Sequence, residues 1–280
     1  MADLDEYRRT SLDAWDRFAG NWEEEAEYVW SVTREVSERM VERLDPQPGE
    51  TILELAAGIG ETGLEAARRI GDGGRLISTD FAPRMVEAAR RRGEALGLGN
   101  VGYRVLDAER MDLDDASVDG VLARFGYMLM ADPAAALRET RRALRDGGRV
   151  SFAVWASPEQ NQWAFIPGRV MVERGLMPPP EPRAPGIFAM GDPARIRELV
   201  TGAGFDEPDI EQVTVKWRYA DPDEHWEKTI KLAAPIAEAL NPLNEGERER
   251  VRAAVRDEIE PLLSGDGSGI DGVVHVVLAR

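Results

Sequence analysis

Cysteine does not occur in the 280 residues. Its absence removes disulfides, thiolate zinc sites, cysteine-ligated iron–sulfur clusters and thiol nucleophiles together. Lysine is confined to Lys216, Lys228 and Lys231, so lysine amine chemistry is excluded from the first 215 residues, and histidine occurs only at His225 and His275. No apolar run approaches the roughly 18 residues of a membrane span. The start, MADLDEYRRTSLDAWDRF, places charges where a secretory signal needs its apolar segment. These absences predict a cytoplasmic protein with no membrane insertion. Positive charge is also scarce: Lys+Arg 35 against Asp+Glu 52 leaves −17, a balance that repels phosphate backbones and argues against a nucleic-acid partner.

What is present suffices for a sizeable core, with 43% hydrophobic residues. Residues 13–44 carry apolar side chains mostly at helical spacings, Trp22 and Trp30 among them, and read as one or two amphipathic helices ending at Asp45-Pro46-Gln47-Pro48-Gly49. Strands are then expected at 51–55, 75–79, 101–106, 118–123 and 149–155, separated by helices at 61–70, 83–96 and 133–145. Strands alternating with helices of this length are βαβ units, which imply a parallel sheet covered on both faces, with ligands at the carboxyl ends of the strands. Residues 157–191 break the rhythm with Pro158, Pro167, Pro178, Pro179, Pro180, Pro182 and Pro185 among apolar side chains, and read as a packed insertion able to act as a lid. Asp192 before Pro193 marks a helix start. A strand at 210–218, an insertion of two helices at 222–263 split by Asn241-Pro242, and a final strand at 272–280 complete the reading.

The chemistry concentrates in Ile52-Leu53-Glu54-Leu55-Ala56-Ala57-Gly58-Ile59-Gly60-Glu61-Thr62-Gly63. Small residues at a strand end let the backbone turn sharply beside a ligand, while the next helix presents unpaired N–H groups. The spacing Gly58, Gly60, Gly63 matches a dinucleotide fingerprint, and alone it decides nothing. Glu54 separates the readings, because a carboxylate inside that strand would repel a pyrophosphate and, once buried, needs an N–H or cationic partner such as a ligand ammonium. Asp80 ends the second strand, where a carboxylate can accept from ribose hydroxyls. Asp107 ends the third, placed to accept from an exocyclic amine beside the Ala108 N–H. Three acidic strand ends suit a nucleoside joined to a cation.

Together with Ser117-Val118-Asp119-Gly120-Val121 and Leu144-Arg145-Asp146-Gly147-Gly148-Arg149, this ordered set resembles the class I S-adenosylmethionine-dependent methyltransferases. The likeness is to the small-molecule branch that includes the ubiquinone and menaquinone biosynthesis C-methyltransferases, and it covers residues 40–157 best. It implies an α/β fold, a doubly wound seven-stranded sheet of order 3-2-1-4-5-7-6 with strand 7 antiparallel. In that organisation residues 1–45 cover the cofactor site, 46–157, 192–218 and 270–280 form the Rossmann-like core, and 158–191 with 219–269 form lid insertions. The implied cofactor is S-adenosyl-L-methionine, leaving as S-adenosyl-L-homocysteine. By position, Ala56, Gly58 and Gly60 approach its methionyl part, Glu54 meets its amino group directly or through water, Asp80 binds ribose, and Asp107 and Ala108 hold adenine between Phe81 and Met85. Arg124, Phe125 and Gly126 face the methyl sulfonium. Ala56 and Ala57 depart from the family, which has an aromatic or Cys there.

Several residues carry two readings. Trp22 and Trp30 either close over the cofactor or pack against the sheet. Tyr127 and His225 are the candidate bases; Tyr127 is otherwise structural and His225 otherwise a surface helix residue. His275 reads as a satisfied strand residue, and Glu109, Asp112, Asp114, Asp115 and Asp119 as a solvated loop. The expected reaction is O- or C-methylation of a small, fairly apolar acceptor by a monomer or homodimer. It would be driven by holding nucleophile and methyl in line, where effective molarities reach about 10⁵ M. One rival is a nicotinamide-dependent oxidoreductase, which lacks here the Tyr-x-x-x-Lys pair of short-chain dehydrogenases; another is a protein that binds the cofactor without turning it over.

Overall fold

A computed structural model describes residues 4–181, 183–263 and 269–280. Pro182 of the proline-rich stretch and residues 264–268 of the second insertion lie outside the described residues. The amino-terminal segment forms two helices, α1 (Leu4–Glu24) and α2 (Ala26–Leu44), with the first beginning earlier than the apolar pattern suggests. On α2, Val29, Val32, Val36, Met40 and Leu44 recur every three or four residues and are buried, so this face lies on the sheet. Asp45 ends the helix in the left-handed region, at φ 50, returning its N–H to the Val41 carbonyl.

The βαβ series then runs β1 (Thr51–Glu54), α3 (Glu61–Ile70), β2 (Arg75–Asp80), α4 (Pro83–Ala95), β3 (Val101–Val105), β4 (Val118–Arg124), α5 (Pro133–Ala143) and β5 (Leu144–Trp155). After α6 (Gln162–Glu173) and α7 (Pro193–Gly202) come β6 (Asp209–Trp217), α8 (Pro222–Leu232), α9 (Ala234–Leu240), α10 (Glu245–Leu263) and β7 (Ile270–Ala279). The sheet has the expected order β3-β2-β1-β4-β5-β7-β6. β1 to β5 pair in parallel, and β7 runs antiparallel to both neighbours. Near-continuous burial of β4, and of β5 from Val150 onward, follows from helices on both faces.

The insertions differ from their sequence reading. Residues 157–191 contain the helix α6, with Pro167 inside it, and the second insertion contains three helices rather than two. Each of these helices is apolar on one stripe only, and they bury those stripes against one another. Ile166, Val170 and Met171 of α6 pack with Trp226, Ile236, Leu240, Val251, Val255 and Ile259. The two insertions therefore share one core, a helical layer joined to the sheet through Trp163, Tyr219 and Ile270. Among the described residues, no helix is long and apolar enough to cross a membrane.

Candidate active site

The turn after β1 is left-handed at three of its six positions, Ala56 at φ 49, Gly58 at φ 56 and Gly60 at φ 84. Gly58 needs its freedom for conformation alone, since a Cβ there would meet nothing within 4 Å. Gly63 has another role: a Cβ on it would come within 2.2 Å of Glu54 Oε2. The third glycine of the motif thus seats the Glu54 carboxylate against the first turn of α3. Gly63 N–H donates to Glu54 Oε1 at 2.6 Å and the Ser78 hydroxyl to Oε2 at 2.9 Å. Burial pushes the Glu54 carboxyl up to about 7, against the lowering effect of these two bonds and of Arg124. The partner this buried acid requires is an N–H of its own chain.

Asp80 is built the same way. Its carboxylate accepts from Gly58 N–H at 2.8 Å and Ala82 N–H at 2.9 Å, bracing the glycine turn and starting α4, and burial raises it to about 6. The register sets Glu54 beside Ser78 and Asp80 beside Val105, so the acids end adjacent strands. Beyond β3, Asp107 Oδ1 accepts from Glu109 N–H at 2.9 Å, and Ala108 is buried.

Helix α1 roofs this edge. Ala19, Ile59, Ala82, Met85 and Ala88 form a small core, with Trp15, Trp22 and Phe81 packed on it. Trp22 therefore lies over the residues expected around adenine, while Trp30, on α2, is half-buried. Glu109 corrects the expectation of a solvated loop. It is 8% exposed, takes the Arg8 guanidinium at 2.9 Å from Nε, and accepts from Ala131 N–H at 2.8 Å, tying α1 to the loops after β3 and β4. Asp112, Asp115 and Asp119 are ion-paired with Arg104, Arg142 and Arg145. Nothing in the local sequence at Glu109 announces a clamp to a helix 101 residues away.

The turn after β4 faces the turn after β1, because a Cβ on Gly126 would lie 2.7 Å from Ala56 Cβ. Phe125 sits at φ 58 and stacks on Trp155 with centroids 4.5 Å apart. Such a backbone in a bulky residue marks strain of the kind that clusters at functional sites. The Arg124 side chain turns to the helices, pairing with buried Glu61 and hydrogen-bonding Thr33 and Ser37. Its contribution to the turn is therefore backbone, and its charge is neutralised away from the sulfonium it was expected to face.

Neither candidate base keeps its expected place. Tyr127 is fully buried, bonded to the Thr140 hydroxyl at 2.6 Å and edge-on to Phe152, and burial raises its phenol well above the ordinary range. It is a core residue. His225 is fully buried too, not on the surface, with Nε2 2.8 Å from the Trp163 carbonyl and its pKa lowered by burial. His275 is buried with Nε2 3.0 Å from the Gly191 carbonyl.

With this geometry in place, relatives are informative. A family model described as a methyltransferase domain matches residues 52–148. Nocamycin O-methyltransferase of Saccharothrix syringae is 30% identical over 216 residues, which is 74% of this chain and 72% of that protein. A ubiquinone/menaquinone biosynthesis C-methyltransferase of Acidiphilium cryptum is 34% identical over 134 residues, 45% of this chain and 53% of its own length. Among solved structures, the YcgJ protein of Bacillus subtilis has the same fold at a TM-score of 0.58 and 17% identity, covering 88% of this chain and 97% of that one. The chain belongs to the S-adenosylmethionine-dependent methyltransferases. Its cofactor is S-adenosyl-L-methionine. The residues fit that group: a turn open at Gly58, flanked by two buried carboxylates, suits a cationic nucleoside and would repel a diphosphate.

Proposed function

We propose that the chain methylates a small, fairly apolar acceptor at oxygen or carbon, using the carboxyl edge of β1 to β4. The carrying observation is that Glu54 and Asp80, on neighbouring strands, each hold an N–H of the segment running from Gly58 to Gly63. Two acids thereby set one backbone turn and keep carboxylate oxygens beside it. In this reading Ala56, Gly58 and Gly60 bind the methionyl part and Glu54 attracts its amino group. Asp80 accepts from ribose, Asp107 and Ala108 hold adenine, and Phe81, Met85 and Trp22 exclude water from it. The relatives named for nocamycin and for quinone biosynthesis favour an apolar acceptor.

When bound, the cofactor supplies a methyl group already activated by a sulfonium. The chain's task is then to orient and to dry. The strained Phe125 turn, pressed against Ala56 and backed by Trp155, gives a rigid surface on which an acceptor can be held in line. Tyr127 is sealed in the core, so the chain's contribution is chiefly positional.

Calorimetry with S-adenosylhomocysteine in two buffers of different ionisation heat tests the assignment. Saturable binding is expected, with proton release near pH 7 that disappears in Glu54→Gln, because an ammonium beside Glu54 draws its carboxyl into the charged form. Absence of binding overturns the site; binding with equal proton release in the variant removes Glu54 from amino-group recognition.

A further inference from the structure

Helix α1 has two faces with different neighbours. Leu12, Trp15, Ala19 and Trp22, spaced three and four residues apart, form one core with Ile59, Phe81 and Met85 beside the cofactor turn. On the opposite stripe lie Arg17, Asn21 and Glu24, and this stripe, with Glu25 just beyond it, meets the second insertion. Arg17 pairs with Glu238 of α9, and Asn21 Nδ2 donates to the Lys231 carbonyl of α8 at 3.1 Å. The Lys231 ammonium lies 2.8 Å from the carboxylates of both Glu24 and Glu25.

Glu25 is the centre of this contact. It stands between α1 and α2 at φ −91 and ψ 10, and its side chain is 6% exposed. Lys228 and Lys231, two of the chain's three lysines, close on it from α8, and the Lys228 ammonium also lies 4.6 Å from the centroid of the Tyr28 ring. Burial pushes the Glu25 carboxyl up, but the two ammoniums outweigh it and hold the group below the ordinary range, so it carries its charge. A buried carboxylate of this kind is costly to strip of its cations. Helix α2, by contrast, is fixed to the sheet through Val32, Val36, Met40 and Leu44. Moving α1 off the cofactor edge thus means turning at Glu25, and α8 either follows or leaves a buried charge unpaired.

We propose that Glu25 is a positioning residue that couples the cover over the cofactor to the helical insertion: α1 pivots there to admit the cofactor, α8 and α9 follow it, and cofactor binding thereby sets the placement of the insertion. The proposal rests on the methyl-transfer reading above. An acceptor held by the insertion and the cofactor held under α1 then raise each other's affinity, since coupling between two sites is reciprocal.

Amide hydrogen exchange on the full chain, with and without saturating S-adenosylhomocysteine, tests this coupling. In wild type the product should slow exchange in α1 and α3 and also in α8 and α9, there by about fivefold or more, the lower end of ordinary coupling between sites. In Glu25→Gln the slowing in α1 and α3 should remain and that in α8 and α9 should disappear. A merely structural role for Glu25 would speed exchange with and without product and leave their ratio as in wild type. Wild type without product-dependent slowing in α8 and α9, or Glu25→Gln with the wild-type ratio there, overturns the coupling while the cofactor site stands. Slowing in no part of the chain overturns the cofactor assignment itself. Should Glu25→Gln fail to fold, Lys231→Met decides by the same comparison, since Lys228 still neutralises Glu25.

Discussion

His225 donates to the carbonyl oxygen of Trp163, the oxygen that residue 167 of α6 would occupy if it were not proline. Proline has no N–H to return to the carbonyl four residues earlier, which normally breaks or kinks a helix. Here the freed carbonyl is satisfied from α8 at 2.8 Å, so the missing bond within one insertion becomes a bond between the two. His225→Leu should therefore destabilise by about 1–3 kcal/mol through an orphaned carbonyl. Adding Pro167→Ala, which restores an N–H four residues on, should recover about 1 kcal/mol of that loss. A double-mutant cycle from denaturant unfolding reads the coupling; strict additivity would contradict this account.

Ala56 and Gly126 form a second coupled pair. Gly126 has an ordinary φ of −89, so a side chain there is opposed only by Ala56 Cβ, 2.7 Å from where the new carbon would fall. Gly126→Ala should destabilise by about 1–3 kcal/mol, as overpacking does. Ala56→Gly should be neutral or stabilising by up to about 1 kcal/mol, because it relieves a left-handed alanine at φ 49. In combination, Ala56→Gly should rescue Gly126→Ala. Thermal unfolding of the four proteins checks the pattern, and a Gly126→Ala that melts with wild type removes the contact from consideration.

The parallel core was legible from residue types, because alternation of buried strands and amphipathic helices is a local signal; β1, β2, α3 and α4 fall within a residue or so of their expected bounds. The acids at 54 and 80 were legible as well, since carboxylates at strand ends are unusual in an apolar context. Their immediate partners were not, because Gly63 reads as a ligand glycine until the Glu54 oxygen is seen where its Cβ would stand. Long-range pairings left no local trace: Glu109 with Arg8, Arg124 with Glu61, His225 with Trp163. Tyr127 and His225 suit a base by residue type and place along the chain, neither of which reveals that both side chains are fully buried.

Glu54 gives the ligand-free protein a defined pH response. Burial raises its folded pKa to about 7 from an ordinary 4.5. The folded state then holds a proton more tightly than the unfolded chain, so this contribution to stability is present below pH 4.5 and is lost as pH rises through 7. His225 and His275 act oppositely, since their lowered pKa values cost stability as pH falls below 6.5. The difference between Glu54→Gln and wild type isolates the carboxyl. It should grow in the variant's favour between pH 4.5 and 7 and then flatten, reaching on the order of 1 kcal/mol or more. Denaturant unfolding across that range measures it, and a difference independent of pH would show that Glu54 is already ionised throughout.

Arg124 and Glu61 join the end of β4 to the first turn of α3, with side chains 12% and 1% exposed. Breaking a pair this buried leaves one charge without compensation, at about 3–5 kcal/mol in full burial and less here, where Arg124 keeps some solvent and the Thr33 and Ser37 hydroxyls. Glu61→Gln should therefore cost about 2–3 kcal/mol. Glu61→Leu with Arg124→Leu should cost less than either single leucine variant, since no charge is then stranded. The pair also holds the Phe125 turn, which follows Arg124 directly, against the glycine turn. A slackened turn should lower kcat more than it weakens S-adenosylhomocysteine binding, because the glycine turn keeps its own braces at Glu54 and Asp80. Unfolding, product affinity and turnover measured on one set of variants separate these effects, and an equal loss of affinity and rate would assign the pair to cofactor binding instead.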